Sequence, residues 1–559
     1  MKGHEVVART LHRRSAGVLF GLMGNGNMPF IHAWVDNIGG RYVAAWHENQ
    51  AVAMARGYAK ATGGLALATV THGPGLTNAV TALTACVRAR APVVLVTPAI
   101  AANAKGRMQK IDQRAVVAPT EARFVEAASP SEIGAATDEA IDIALAEQTA
   151  VVLNIPFPVL DAPQPAAAPE RKSSSTARRT YPEPDPKALK TAADILAAAE
   201  RPLIIAGRGA IPNDARNTII DLAKTSGALL GSTLPMRNYF AGDPFNLGCI
   251  GGYGTALSAD LCREVDVVLA LGASLHNRTT NAGSLFEANP RIIQVDTSRE
   301  AIGAMTKVDH RIVGDAHDVA EEILLDLKNR GISREGYRTA SVRERLRTYD
   351  QARDFEDRSG GGVVDPRSLM VELDRIVPRE RTVIVDGGHS TGFSSIFMPS
   401  PDDKAYMLGL GDYSSIGLGM GMAVGAAVGR PDRYPVFFTG DGTLMMTLGD
   451  LHSVARHGLP MLVVVMNDNA YGAEVHEAHH LGFPVNLSTH TSPDFEMLAK
   501  SMGFEAATAR SLDEVRAAAK RAVASRKPFL LNCFINAEVI GSWAEAFHKE
   551  RGTAAAAHA

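Results

Sequence analysis

Cysteine is scarce in this 559-residue chain: it has four, Cys86, Cys249, Cys262 and Cys533, far apart and without a CxxC pair. That excludes a zinc ribbon and a disulfide framework, and it fits a reducing, cytoplasmic setting. An excess of charge of one sign is missing too. A formal net charge of −3 provides no field that would select nucleic acid or anionic lipid, so neither is expected as a partner. No run approaches the roughly 18 consecutive apolar residues of a membrane span, and the start MKGHEVVARTLHRRSAGVLFGLMG has no uninterrupted apolar stretch before a small-residue cleavage site. The expectation is a soluble, unexported protein with no membrane partner. Two nucleotide signatures are also absent. There is no GxxxxGK[ST] phosphate loop, and GRGAIP (207–212) lacks the third glycine of a dinucleotide fingerprint.

What is present is alternation. Short apolar runs alternate with helical patterns almost throughout, which signals parallel α/β units, and the chain is too long for a single core. The fold class expected is α/β, in three domains each built on a parallel sheet flanked by helices. A Pro-, Ala-, Ser- and charge-rich stretch without apolar period (162–186) and a polar stretch from about 333 to 362 mark the boundaries. The expected divisions are a first domain over 1–162, a linker over 163–186, a central domain over 187–345, a linker over 346–362, a third domain over 363–545 and a tail over 546–559.

The stretch TGDGTLMMTLGDLHSVARHGLPMLVVVMNDNAYG (439–472) carries the chemistry. VFFT reads as a strand, TLMMTLGDLHSVARHG has helical spacing, and MLVVVM is the next strand: one βαβ crossover. Both strands then point the same way, so Gly440-Asp441-Gly442 and Asn467-Asp468-Asn469 are delivered to one edge of a sheet. Oxygen donors converging there suit Mg²⁺, which commonly keeps substrate phosphates in its shell. A helix beginning near Thr443 would offer free N–H groups to phosphate oxygens, and Gly442 would let that backbone approach closely. Gly-Asp-Gly alone is as readily a simple turn. The βαβ context and the second polar cluster 27 residues further on weigh against that.

This stretch resembles the signature of thiamine-diphosphate-dependent enzymes, a GDG followed at this spacing by an Asn-Asn pair. The resemblance extends over nearly the whole chain, in the order pyrimidine-binding, middle and diphosphate-binding domains found in acetolactate synthase, pyruvate decarboxylase and benzoylformate decarboxylase. AAWHENQAVAMARGYAKATG (44–63) is similar to the family's catalytic-glutamate segment and puts Glu48 in that role. The resemblance implies Mg²⁺ ligands at Asp441, Asp468 and the Ala470 carbonyl, with thiamine diphosphate held along Gly440, Gly442, Thr443, Tyr471 and Gly472. Asp468 departs from the pattern, standing where the family has the second Asn. The added charge implies tight but more pH-sensitive metal binding. DYSSIGLGMGMAVGAAVG (412–429) resembles the segment supporting the bent coenzyme, with Ile416 as the wedge and the Ser414 carbonyl accepting from its aminopyrimidine.

The loops GLMGNGNMPF (21–30) and THGPGLTNA (71–79) imply Asn25 and His72 near substrate. Gln109 falls where relatives carry an active-site side chain, and Glu474 matches a proton-handling glutamate. His476, His479 and His480 read as a solvated helix face. Glu48, set among Ala44, Ala45 and Trp46, is expected to be buried and to share a proton with the pyrimidine.

The implied activity is decarboxylation of a 2-oxo acid, ending in protonation to an aldehyde or in ligation to a second carbonyl compound such as an aldehyde acceptor. An alternative is C–C cleavage of a 2-hydroxyacyl thioester or acyloin, with Arg208, Arg237 and Arg278 as candidates for a basic coenzyme A site. A third is a cofactor-binding protein without turnover. Against true acetohydroxyacid synthase, APTEARF (118–124) has Glu121 near an expected lysine. GASLHNRTT (272–280) is similar to that enzyme's flavin-contacting region, which leaves FAD, another nucleotide or nothing open. The family pattern implies a homodimer, often paired into a tetramer, with Glu48 and Asp441 supplied by different subunits.

Overall fold

The computed structural model describes residues 1–15, 17–101, 103–106, 108–163 and 181–544. Residues 164–180 of the expected first linker and the whole expected tail lie outside the described residues. Three six-stranded sheets follow one another along the chain. The first has the order β2-β1-β3-β4-β6-β5, from β1 (Val18–Gly21), β2 (Arg41–Ala44), β3 (Ala66–Thr69), β4 (Val93–Ala99), β5 (Arg123–Glu126) and β6 (Ala150–Pro156). The second has the order β12-β11-β10-β7-β8-β9, from β7 (Pro202–Ala206), β8 (Leu229–Ser232), β9 (Asn246–Cys249), β10 (Val267–Leu271), β11 (Arg291–Asp296) and β12 (His310–Val313). The third has the order β14-β13-β15-β16-β18-β17, from β13 (Arg381–Asp386), β14 (Tyr406–Leu408), β15 (Tyr434–Gly440), β16 (Leu462–Asn467), β17 (Glu505–Ala509) and β18 (Phe529–Phe534). Every strand pair is parallel. Helices cover both faces, which is why β4, β7, β10 and β13 are buried along their length and read as continuous apolar runs.

The first and third domains are joined by two helices in backbone contact. The helix Glu48–Thr62 crosses Gly419–Gly429, whose residues Gly419 to Val428 are all buried. A Cβ on Gly425 would stand 1.9 Å from the Met54 carbonyl oxygen, and one on Gly57 would stand 2.2 Å from that of Met422. Glycine costs about 1 kcal/mol relative to alanine inside a helix; here it is what lets two backbones touch. Arg56 adds a polar tie, donating from its guanidinium to the carbonyls of Leu408 and Gly409. The middle domain is held to the third by Arg237, donating to Met398 O at 2.8 Å, and to the first by Arg208, donating to Arg88 O at 3.0 Å.

Two local expectations change. The single helix expected after Gly442 is two short ones, Asp441–Met445 and Leu448–Arg456. The first turn is therefore set by the strand end rather than by a long helix. The polar stretch 333–362 is not bare linker: Thr339 caps a helix over Ala340–Thr348, and Gln351 donates to Phe397 O at 3.0 Å. Tyr337 and Val342 explain it, since both are buried in the apolar cluster of the middle domain.

Gly425→Ala is expected to lower stability by roughly 1–3 kcal/mol, the overpacking range, because the new methyl meets backbone that cannot swing away. A melting temperature equal to that of the parent would contradict the contact.

Candidate active site

β15 and β16 are adjacent and parallel, with Gly440 opposite Met466, so the residues that follow them meet at one sheet edge. Asp441 is 1% exposed. Its Oδ2 accepts from Ser492 Oγ at 2.6 Å and lies 3.2 Å from His490 Nε2, while its Oδ1 is buried with no hydrogen-bond partner. Ser492 Oγ is also 3.3 Å from Asn467 Oδ1, so one hydroxyl bridges the two strand ends. The second strand turns abruptly at Asn469, whose φ of 55° is a conformation asparagine tolerates. There Ala470 pairs with Thr489, Tyr471 N donates to Ser488 O, and His490 N donates to Asn469 O. This pairing carries His490 and Ser492 to Asp441.

Asp468 sits in the turn. A Cβ on Gly472 would stand 2.2 Å from Asp468 Oδ2, so only glycine leaves room for this carboxylate. Its pKa is pushed up to about 7, first by burial and then by the negative charge of Asp441, with Glu474 adding to it and an N–H from Ala470 opposing. Two acids thus stand near enough to raise the pKa of Asp468, and one of them carries a partnerless buried oxygen. An unsatisfied buried acceptor costs about 1–3 kcal/mol, and a divalent cation would relieve both strains at once. Gly442 completes the cradle: Tyr471 Cε1 lies 2.6 Å from where its Cβ would be.

The loop ahead of the glycine helix is clamped from two domains. Asp386, at the end of β13, accepts from Gly417 N at 3.1 Å and from Gly419 N at 3.0 Å. Burial pushes its pKa up to about 6 against these donors. Gln50, on the Glu48 helix, donates to Gly417 O at 2.6 Å and accepts from Gly421 N at 2.8 Å. Ile416 is thereby fixed, with its Cγ2 2.4 Å from the position of a Cβ on Gly387. Ser414 is exposed with φ 53°.

In the first domain Glu48 opens its helix, and its Oε2 accepts from Asn78 Nδ2 at 3.1 Å. It is half-buried, not enclosed as expected: Trp46 is 52% exposed, and its indole turns away to donate to His452 Nδ1. Among the described residues no hydrogen bond or ion pair joins Glu48 to Asp441 or Asp468 within the chain. The structure does bring three other expected residues into one neighbourhood. His72 is 4% exposed, its pKa lowered by burial and supported in its charged form by the Gln109 side chain. A Cβ on Gly26 would stand 2.4 Å from His72 Nδ1, so the loop bearing the exposed Asn25 lies on this ring. Glu474 is exposed in the first turn of the helix Gly472–Leu481.

His476 corrects the solvated-face reading. It is 7% exposed, with Nδ1 2.7 Å from His389 Nε2 and Nε2 2.8 Å from Ala537 O, whereas His479 and His480 are exposed. A carbonyl only accepts, so His476 carries its proton on Nε2 and receives one from His389 Nε2. Burial, then His476, pushes the pKa of His389 down to about 4. Arg237 is also corrected. It is buried and spent on Met398, so of the three arginines considered for a coenzyme A site only Arg208 and Arg278 line the large middle-domain cavity.

Residues 1–116, 189–323 and 386–533 match three family descriptions in turn: thiamine pyrophosphate enzyme N-terminal TPP binding domain, central domain, and C-terminal TPP binding domain. The chain belongs to the thiamine pyrophosphate enzyme family. A probable acetolactate synthase large subunit of Methanocaldococcus jannaschii is 27% identical over 96% of this chain and 92% of that protein. Sulfoacetaldehyde acetyltransferase of Roseovarius nubinhibens is 28% identical over 96% of this chain and 93% of that protein. The fold is shared with a thiamine diphosphate-dependent 4-hydroxybenzoylformate decarboxylase from Rhodococcus jostii RHA1, at TM-score 0.77, 21% identity, and 96% and 99% coverage of the two chains.

The residues here suit the family's cofactor. A partnerless Asp441 Oδ1, the Asp468 carboxylate and the Ala470 turn form an oxygen-only donor set of the kind Mg²⁺ takes. Sequence reasoning missed Ser492, His490, Asp386, His389 and Gln113; the last accepts from Gly73 N at 2.9 Å and so sets the Gly73-Pro74-Gly75 loop. Gln50 had a signal, a polar residue within an apolar helical run. For Ser492 and His490 there was none, because their pairing with 469–471 is not local.

Asp468 gives the metal-free protein a pH signature. Its folded-state pKa of about 7 exceeds the ordinary 3.8, so the folded chain keeps a proton that the unfolded chain releases. Stability therefore falls as pH rises from about 4 to 7. Asp468→Asn is expected to flatten that slope in melting curves taken with chelator. An unchanged slope would refute the assignment.

Proposed function

We propose that this chain decarboxylates a 2-oxo acid using thiamine diphosphate and Mg²⁺, delivering the remaining acyl unit either to a proton, giving an aldehyde, or to a second carbonyl compound. The observation carrying this reading is the buried, partnerless Asp441 Oδ1 at the edge shared by β15 and β16, with the charge of Asp441 felt by Asp468. When bound, thiamine diphosphate supplies the electron sink that lets carbon dioxide leave.

The protein's part is placement and proton handling. Asp441, Asp468 and the Ala470 carbonyl hold the cation, and the free N–H groups after Gly440, at Gly442 and Thr443, bind diphosphate oxygens beside Tyr471 and Gly472. Ile416, fixed by Asp386 and Gln50, and the Ser414 carbonyl would hold the coenzyme's rings and so orient it for proton removal. Glu48 shares a proton with the pyrimidine. His72, Gln109 and Asn25 line the substrate side, and Glu474 carries a proton at the product side.

Glu48 and Asp441 belong to different subunits of a homodimer in this reading, with a tetramer as a pair of dimers. Support comes from large apolar side chains exposed around the candidate site, among them Trp46 (52%), Met446 (57%), Phe483 (63%) and Leu487 (89%). Four buried free cysteines agree with a cytoplasmic setting. The middle domain takes a nucleotide, with FAD the first to test. Support for this is a cavity of about 610 Å³ where the strand order reverses between β7 and β10, lined by Gly207, Arg208, Gly272 and Arg278.

Carbon dioxide release from a panel of 2-oxo acids, run with and without an acceptor aldehyde, is expected to single out one acid and to reveal the fate of the acyl unit; silence across the panel would overturn the proposal. Glu48→Gln is expected to cut kcat by about 10²-fold or more while coenzyme still binds. A purified protein without absorbance near the flavin band would exclude FAD.

A further inference from the structure

A second cavity, of about 230 Å³, lies where all three domains meet. Five cations line it against one acid: Arg56, Lys60 and Arg90 from the first domain, Arg208 from the middle domain, and Lys404 beside Asp403 from the third. Arg56 is spent on the Leu408 and Gly409 carbonyls, and Lys60 pairs with Asp403 at 3.7 Å. Among the described residues neither Arg90 nor Lys404 has an ion pair. Lys404 Nζ lies 2.8 Å from the position of a Cβ on Gly63, so its ammonium hangs over the helix C-terminus beside this cavity. The ammonium of Lys60 has its pKa lowered by burial and by Arg208, against the pull of Asp403. Ala91, Ile211, Met407 and Met422 make much of the remaining wall, with Gln148 and Tyr406 as its other polar side chains.

We propose that this three-domain junction binds a phosphate group, free or on a small carbon skeleton, held by Lys60, Arg90, Arg208 and Lys404. Arg208 gives one N–H to the Arg88 carbonyl; guanidinium and ammonium donors lining one cavity suit the several oxygens of a phosphate, and apolar walls suit a carbon body. The occupant would tie the domains together. Lys60 lies on the helix that begins at Glu48, and Gly411, another lining residue, is a few positions before Ser414 and Ile416. The site is separate from the Asp441 cradle and does not depend on the reaction proposed above.

The test is calorimetric titration and thermal melting of the protein saturated with thiamine diphosphate and Mg²⁺, so that the family's own diphosphate site is filled. The probes are inorganic phosphate, glycerol 3-phosphate and glycerol. Saturable binding of one phosphate probe per chain, with a raised melting temperature and no response to glycerol, is expected. A tighter ester points to a phosphorylated small molecule, and equal affinities point to phosphate itself; both uphold the site. Lys404→Glu and Lys60→Met should each weaken binding by about tenfold or more, and Lys404→Arg should retain it. Lys404 is exposed, so its variants test the site without threatening the fold. Absence of saturable binding, or Lys404→Glu binding as tightly as the parent, overturns the proposal, and neither result bears on 2-oxo acid turnover.

Discussion

The contact on which the rest depends is the crossing of the Glu48–Thr62 and Gly419–Gly429 helices. Bare glycine surfaces let the two backbones meet, and the same crossing aligns Gln50 with the loop that ends in Ile416 and Gly417. A methyl group at Gly57, Gly421 or Gly425 would push apart the helix that begins at Glu48 and the segment that carries Ile416. Domain packing and site geometry are thus set by one interface, and the helix propensity given up at each glycine is the cost of that precision.

Charge is distributed around this frame with a clear division. Asp386 is a buried acid satisfied by backbone N–H groups, and it is structural: it pins a loop. Asp441 is a buried acid with one oxygen left unpartnered, and Asp468 beside it keeps a raised pKa despite an N–H from Ala470, which is the mark of a site built for something else. Asp468 sharpens this contrast, because it places beside Asp441 a second acid that holds its proton up to about pH 7. The His389–His476 pair beside the same turn is anchored on the Ala537 carbonyl, and burial holds the pKa of His389 low, so that ring shapes the wall without adding charge.

The middle domain is more than a spacer. Its two cavities adjoin: one lies at its own strand ends and the other on the seam with both coenzyme-binding domains. Arg208, Arg90 and Gly411 line both, so a ligand in either would be felt by the segment leading to Ile416.

Much of this was legible in the letters. Parallel strands buried on both faces leave continuous apolar runs, so VFFT and MLVVVM were legible as the strands β15 and β16, and the βαβ rule alone brought Asp441 and Asp468 to one edge. Gly442 was readable as a place where backbone must come close. What only the tertiary structure decided lies at longer range. Ser492 and His490 reach Asp441 because an isolated pairing of 469–471 with 488–490 folds them back. His476 leaves the solvent because His389 arrives from another helix, and Trp46 turns outward to His452 instead of enclosing Glu48. Periodicity reports which face of an element is apolar; it carries no information on which distant element will cover that face. The site's donors were therefore written in the sequence, and their partners were fixed by packing.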